Sequence, residues 1–551
     1  MEFIKSRDGL IFPVQKENHV PQHNFNLTDV DTWRRQLPLS NLASSAQALY
    51  LFLQDLHQTP LKTRERFTLI SHLRPTLSYL GEVLAKLHAE REVLSAKQQL
   101  IANLVNALYF EMLNEYKIII NQSSNSLFFK KKILIASLYN AMICCEKMLF
   151  DAYKQHREPP PGIWNELHTL YLLAQKKRIH NKALNKWIEW QTRFKTLDDL
   201  YKNCLLFVIS NPYRLAKSEI SNLIYALEVW APLLVLKPLN ENSSGLYILD
   251  MELDTPPLYS ALHPNPSSNS FILILDKITL RLEKLLLDKT IPNENKTSHY
   301  FLDAEQMLPQ TFIESILSTW QYVKGRTQQR DKMHGIIPVC LGISACHWFI
   351  SEHHLASEGM SETLYDLEVI DLSEDQQEQS SQSYRNYHCE LIDQSEGGYC
   401  LQWSEEIPPQ LQCGEIIAVQ KESADQKKTW IIGTIRWLRH EKDNTILFGV
   451  KILSQQILAV HAFFEETQHP TPTLLLAEEP LHSKPKTLIT PLLPFKSGQE
   501  ISIAFEHKIY PTLLQKNYSL SPCYQQFGVE FLLEQLLFAQ PSEPTHANPL
   551  L

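Results

Sequence analysis

Glycine is scarce in this chain and unevenly spread: of 15 in 551 residues, four (Gly9, Gly81, Gly162, Gly245) precede residue 311 and eleven follow it. Glycine weakens helices and serves β turns and bulges, so its scarcity excludes a turn-rich β fold for the first part and predicts helices there, with strands afterwards. A surplus of positive charge is also missing. The formal net charge is −9, which excludes a general nucleic-acid binder, whose basic field neutralises phosphates. The nine cysteines lie mostly inside apolar runs and show no paired C-x-x-C spacing, so a disulfide framework is excluded and a reduced, cytoplasmic compartment is expected. No apolar run reaches the ~20 residues that a bilayer-spanning helix needs: Leu223–Leu239 is interrupted by Glu228, and Ile133–Cys145 is too short. The opening Met-Glu-Phe-Ile-Lys-Ser-Arg-Asp lacks the basic-then-apolar layout of a secretory signal.

Enzyme signatures are lacking as well. There is no P-loop, nucleophile elbow, H-E-x-x-H or dinucleotide fingerprint, so neither catalysis nor a cofactor is expected. Cys346-His347 followed by His353-His354 gathers metal-ligating residue types. Successive side chains on a strand point to opposite faces, which separates Cys346 from His347, and no metal is expected.

What is present divides the chain. At 44% apolar content, sizeable cores are affordable, and at ~100–200 residues per domain two to four domains are expected. Ser95-Ala-Lys-Gln98 is a capping box opening a helix in which Ile101, Leu104, Val105, Leu108 and Met112 recur at helical spacing. From 184 to 208, Trp187, Trp190, Phe194, Leu197, Tyr201 and Cys204 alternate steps of three and four, a seam for packing on a neighbouring helix of the same chain. Breaks at Pro60, at Glu158-Pro-Pro-Pro-Gly162 and at Asn211-Pro212 space the helices. These predict an all-α bundle or helical array over residues 1–310, with a proline-rich loop or short extended piece at 240–269 before a last helix at about 270–290.

Two short motifs then stand out. Arg326-Thr-Gln-Gln-Arg330 presents two guanidinium forks, and 63 positions after the second arginine comes Asp393-Gln-Ser395-Glu-Gly397-Gly398. An acid, a hydroxyl and glycines on one tight turn offer an acceptor, a small donor and close backbone approach. The apolar stretch from Ile336 to Ile350 reads as a strand, Cys389–Ile392 leads into the second motif, and Ile431–Trp437 and Leu447–Leu453 read as a later strand pair. In motif order and strand order, residues 320–465 resemble the PilZ domain, the bacterial receptor module for cyclic di-GMP: R-x-x-x-R, a strand, D/N-x-S-x-x-G, then barrel strands closing with "GxVxW" and "xxGVxF". The gap between the two motifs is longer than that family usually has. The excess lies in residues 351–387, with nine acids, one arginine (Arg385) and a Gln/Ser tract, the composition of a solvated insertion between strands.

After the PilZ-like segment comes an echo. Phe448-Gly-Val-Lys-Ile-Leu453 recurs as Phe527-Gly-Val-Glu-Phe-Leu532, and Gly414–Val419 is loosely matched by Gly498–Phe505. This predicts a second, smaller β unit over 470–537, a barrel or hairpin-rich module without its own arginine and serine motifs. The expected fold class is therefore multidomain α+β: helices, then a PilZ-like antiparallel barrel, then a second β unit.

The resemblance implies function in the same terms. Cyclic di-GMP carries two phosphodiester charges and two guanine edges. The family pattern assigns Arg326 and Arg330 to phosphate or guanine O6 and N7, Asp393 to the guanine N1 and N2 donors, Ser395 to phosphate or the turn, and Gly397 and Gly398 to close approach of the ligand. The expectation is a cytoplasmic receptor, not an enzyme, that passes second-messenger binding to a protein partner in motility, pilus or exopolysaccharide machinery through reorientation of the helical region. A ligand-independent scaffold in motility, pilus or secretion assembly, with a degenerate barrel, is the competing expectation.

Overall fold

The computed structural model describes residues 2–532 except 7, 87–93, 95, 125–130, 241–244, 264, 291–304, 306–307, 322–330, 333, 358–383, 423–427, 442–444, 464–469, 479–484 and 506–507. The described residues form two compact units, residues 1–327 with 439–441, and 328–438 with 442–551.

The first unit is mainly helical. A two-stranded ribbon, β1 (Phe3–Lys5) and β2 (Ile11–Pro13), precedes α1 (Leu27–Arg35), α2 (Leu42–Gln58), α3 (Thr63–Lys86), α4 (Ala96–Ser124), α5 (Lys131–Lys154), α6 (Ile163–Lys176), α7 (Leu197–Ile209) and α8 (Lys217–Trp230). The proline breaks fall where the sequence places them, after α2, between α5 and α6, and after α7. Ser95 of the expected capping box lies outside the described residues. α5 is long and apolar enough to cross a bilayer, yet 83% of its most apolar window is buried inside the unit, where its cysteines and leucines join one continuous helical core.

The expected helix over 184–208 is shorter than its seam suggests. A single 3-10 turn, Leu184–Lys186, is followed by a loop closed by the Leu184 N–H donating to the Lys195 carbonyl at 2.8 Å, and α7 starts only at Leu197. The reason is Thr196: its hydroxyl accepts from the Asp199 N–H while the Asp199 carboxylate accepts from the Thr196 N–H, a reciprocal cap that fixes a helix start at that point. A three-four spacing of apolar side chains reports burial in either conformation, and Phe194 and Leu197 are both buried. The proline-rich stretch also resolves into structure. β3 (Val235–Pro238), β4 (Tyr247–Asp250), β5 (Leu258–Tyr259) and β6 (Ser270–Ile274) form a sheet in the order β3-β6-β4-β5, followed by α9 (Asp276–Thr290) and α10 (Gln310–Gln321).

The second unit holds two antiparallel barrels. The first consists of β7 (Asp331–Lys332), β8 (Ile336–Leu341), β9 (Tyr387–Ser395), β10 (Gly398–Trp403), β11 (Ile416–Glu422), β12 (Lys428–His440) and β13 (Ile446–Ser454), ordered β10-β13-β12-β11-β8-β9, with β9 pairing back to β10 and β7 continuing along β9. The expected strand Ile336–Ile350 is corrected: it is β8 as far as Leu341, then Gly342 in the left-handed region at φ 86°, then helix α11 (Ile343–Ser357). A continuous apolar run does not distinguish a buried strand from a buried helix. The glycine was the available sign, since a left-handed residue reverses the chain at little cost only without a Cβ. Cys346 therefore sits on a helix, fully buried, with its thiol against the Cys340 carbonyl. Of the acidic insertion, 358–383 lies outside the described residues.

The second barrel runs β14 (Ile457–Phe463), β15 (Thr471–Leu476), β16 (Thr487–Thr490), β17 (Glu500–Phe505), β18 (Lys508–Leu520) and β19 (Gln525–Phe531), closed in the order β14-β15-β16-β19-β18-β17. The sequence echo is structural. Gly414 and Gly498 take the same positive φ, 85° and 82°, and each precedes a three-stranded meander, β11-β12-β13 and β17-β18-β19. In each meander the glycine of the Gly-Val pair faces an aromatic ring from the preceding strand, Trp437 at Gly449 and Tyr518 at Gly528. The two barrels share a core in which Cys346 and Ile350 of α11, Ile416, Ala418 and Ile432 of the first barrel meet Ile457, Leu474 and Ile489 of the second. Ser521 completes the joint, donating its hydroxyl to the Gly414 carbonyl at 2.6 Å.

Candidate ligand-binding face of the first barrel

The serine motif folds as a two-residue hairpin. Ser395 at the end of β9 pairs with Gly398 at the start of β10, leaving Glu396 and Gly397 as the turn, and the Ser395 hydroxyl donates across it to the Gly398 carbonyl at 3.4 Å. Gly398 is required by sterics rather than by turn conformation. A Cβ there would collide with the Val450 carbonyl oxygen of β13, so the third strand lies against the hairpin only because the side chain is missing. The Ile452 N–H donates to the Gly397 carbonyl at 3.0 Å, tying β13 to the turn as well.

Register then decides which side chains share a face. Directly opposed residues of antiparallel strands point the same way, and successive residues alternate. Ser395 opposes Gly398, which opposes Lys451; Asp393 opposes Cys400, which opposes Gly449. The intervening row, Gln394, Tyr399 and Val450, points oppositely, and Tyr399 and Val450 are buried with Leu401 and Phe448. Asp393 and Ser395 therefore stand on the outer face of the barrel, with Lys451 two strands away in the same row. β7 extends this face: Asp331 opposes Gln394 and Lys332 opposes Asp393. Lys332 and Lys451 thus flank the acid-hydroxyl pair from either side.

Arg326 and Arg330 lie outside the described residues. The residue that follows Arg330, Asp331, is paired with the second residue of the serine motif, so the arginine motif leads directly into the strand laid along the serine hairpin. The expected Asp393, Ser395, Gly397 and Gly398 are brought together on one hairpin. Lys332 and Lys451 were not recognised from sequence. Their signal was available only as register arithmetic, since each becomes relevant through the residue opposite it rather than through its own neighbours.

The closing strands of the barrel hold this face by another missing side chain. The Trp437 ring occupies the space that a Cβ of Gly449 would fill. Gly449→Ala is expected to force the indole aside and to lower barrel stability by about 1–3 kcal/mol, the usual range for overpacking. A fall in the denaturation midpoint followed by Trp fluorescence, with Ala at the open Gly335 as the control, is the check.

Comparison with known proteins agrees with this architecture. Residues 28–241 match the family model for the N-terminal domain of the cyclic-di-GMP receptor FimW, residues 246–363 and 357–457 match its middle PilZ domain, and residues 457–532 match its C-terminal β-barrel domain. The middle-domain match takes in β4–β6, α9 and α10 together with the first barrel. Among curated proteins, the cyclic-di-GMP receptor FimW of Pseudomonas aeruginosa is 25% identical over an alignment covering 91% of this chain and 89% of that protein. The domain matches follow one another in order along nearly the whole length, and on them the chain belongs to the FimW family, with a helical N-terminal domain, a middle PilZ domain and a C-terminal β-barrel domain.

Proposed function

We propose that this chain is a cytoplasmic receptor for cyclic di-GMP, and that ligand binding on the outer face of the first barrel is passed to a protein partner through the helical region. The observation that carries this reading is the β7–β9 register, which lays the strand that follows Arg326-x-x-x-Arg330 beside Asp393 and Gln394 of the serine motif. A ligand with two phosphodiesters and two guanines needs fixed cations, an acid for the N1 and N2 donors of guanine, and a surface on which a sugar-phosphate ring can lie flat. Arginine is the better cation here, because its planar fork matches phosphate and the O6/N7 edge of guanine. Asp393 supplies the acid. The glycine pair and Ser395 keep the hairpin low, so the ligand can approach the backbone.

The similarity to a relative and to family models that carry the receptor name supports this ligand, and a binding role, not catalysis, accounts for the residues on this face. Transmission follows from chain order: the arginine motif falls between the helical region and the barrel, so a ligand held by it shifts the population of states available to the chain. Isothermal calorimetry of the full chain with cyclic di-GMP is expected to give heat for the wild type and at least tenfold weaker binding for Ser395→Ala combined with Asp393→Ala. Limited proteolysis is expected to show protection at residues 320–335 once the nucleotide is added. A silent wild-type titration would overturn the receptor reading, and an unchanged digest would overturn the transmission step alone.

A further inference from the structure

The second barrel has no arginine or serine motif of its own, yet it closes a cavity against the first barrel beside the ligand face. The cavity has a volume of about 230 Å³ and is lined by Thr434, Arg436 and Lys451 of the first barrel and by Tyr518, Tyr524 and Gln526 of the second. Both barrels belong to one compact unit, and their shared core and the Ser521–Gly414 bond fix the walls.

Two observations connect this cavity to the serine hairpin, and three more side chains give its wall chemical character. Lys451 lines the cavity and is the residue opposed to Gly398, in the same outward row as Ser395. Ile452 also lines it and donates its N–H to the Gly397 carbonyl. Arg436 is exposed and lines the cavity, so a guanidinium fork belongs to its wall. Tyr518 is 50% exposed and is held against Gly528, leaving ring surface open to solvent. Gln526 is oriented by its amide, which donates to Thr487 at 2.9 Å.

Size decides what can enter. Whole small-molecule ligands occupy pockets of ~300–1,000 Å³. A cavity of about 230 Å³ therefore receives part of a larger ligand. A planar cation, an ammonium, an open phenol ring and an amide are the groups that take a phosphodiester and the face of an attached base.

We propose that the inter-barrel cavity is the second half of the cyclic di-GMP site: one half of the dinucleotide lies on the serine hairpin, and the other enters the cavity, with a phosphodiester on Arg436 and Lys451 and a guanine on Tyr518. The C-terminal barrel is then part of the receptor rather than a spacer. This assignment rests on the receptor reading above, and the experiment separates the two. Full-length wild type, Arg330→Ala, Arg436→Ala and Tyr518→Leu are titrated with cyclic di-GMP by calorimetry, and their melting midpoints are recorded without ligand. Arg436 and Tyr518 are both exposed, so unliganded midpoints are expected to stay at the wild-type value. Arg436→Ala is expected to weaken binding at least tenfold and Tyr518→Leu several-fold, with Arg436→Lys recovering part of the loss. Should either midpoint fall, Arg436→Gln and Tyr518→Phe replace them, the first expected to lose affinity and the second to keep it. Wild-type affinity in Arg436→Ala and Tyr518→Leu beside a loss in Arg330→Ala overturns this assignment and leaves the receptor reading standing. No heat from the wild type overturns both.

Discussion

Replacing Arg326 and Arg330 together by alanine is expected to weaken cyclic di-GMP binding at least a hundredfold, without lowering the melting temperature of the unliganded chain. A hydrogen bond to a charged group contributes roughly 1.5–3 kcal/mol, so two guanidiniums account for about 3–6 kcal/mol, and each 1.4 kcal/mol is about tenfold in affinity. Lys332 and Lys451 stay on the face and keep a residual, salt-sensitive attraction. They do not replace the forks, because an ammonium is a compact point charge without bidentate geometry. The double Arg→Lys variant is therefore expected to fall between the wild type and the alanine pair. Calorimetry in two salt concentrations reads the difference. Near wild-type affinity in the alanine pair would mean that the serine hairpin and the lysines hold the ligand by themselves.

A comparably large effect is expected in the first unit. Arg66 of α3 is fully buried, with Nη1 donating to Glu115 at 2.5 Å and to the Leu56 carbonyl at 3.1 Å, and Nη2 donating to the Thr59 carbonyl. It neutralises a buried acid and at the same time satisfies carbonyls at the C-terminal end of α2, where a cation is favoured. Buried His57 bridges Glu111 and Glu115 from α2. Among the described residues, Arg66→Met leaves Glu115 with His57 as its one charged partner. Truncating one partner of a buried ion pair costs about 3–5 kcal/mol, and at ~2–4 °C per kcal/mol for a unit of this size the midpoint should fall by roughly 10 °C. Pairing Arg66→Met with Glu115→Leu should recover much of the loss, because an apolar replacement leaves no unpaired charge.

The same cluster sets a pH window. Burial alone would push the His57 imidazolium down, but the carboxylates of Glu115 and Glu111 outweigh it and raise its pKa to about 9. A pKa raised above the ordinary 6.5 gives stability that is fully present below pH 6.5 and is lost as pH rises through about 9. Burial would likewise raise Glu115, but Arg66 and His57 hold it below the ordinary carboxylate value. Its contribution is present above that value and is lost as pH falls through the lowered one. The helical unit should therefore be most stable between these limits, and Arg66→Met should narrow the acid side of the plateau in a melting series.

Much of this protein was legible in the residues. Glycine distribution separated a helical part from a β-rich part, because a missing Cβ costs a helix and serves a turn. The proline clusters marked helix ends, because proline lacks the N–H that a continuing helix needs. The Phe-Gly-Val echo between 448 and 527 became two matching meanders, since each glycine makes room for a ring on the neighbouring strand. Burial patterns were less informative about conformation. The apolar stretch after Ile336 held a strand and a helix, and the 184–208 seam held a loop and a helix, because apolar spacing reports that residues are inside, not how the backbone brings them there.

The sequence by itself determined which chemical groups are available: two arginines on one motif, and an acid, a hydroxyl and two glycines on another. These are local facts, fixed by residue type and by a turn short enough to be specified within a few positions. Tertiary structure decided which groups meet. Asp393 and Ser395 share a face with Lys332 and Lys451 only because β7, β9, β10 and β13 pair in one register, and Arg436 and Tyr518 line one cavity only because a second barrel packs against the first. Strand register is set by long-range pairing, and a slip of one residue turns every side chain to the other face.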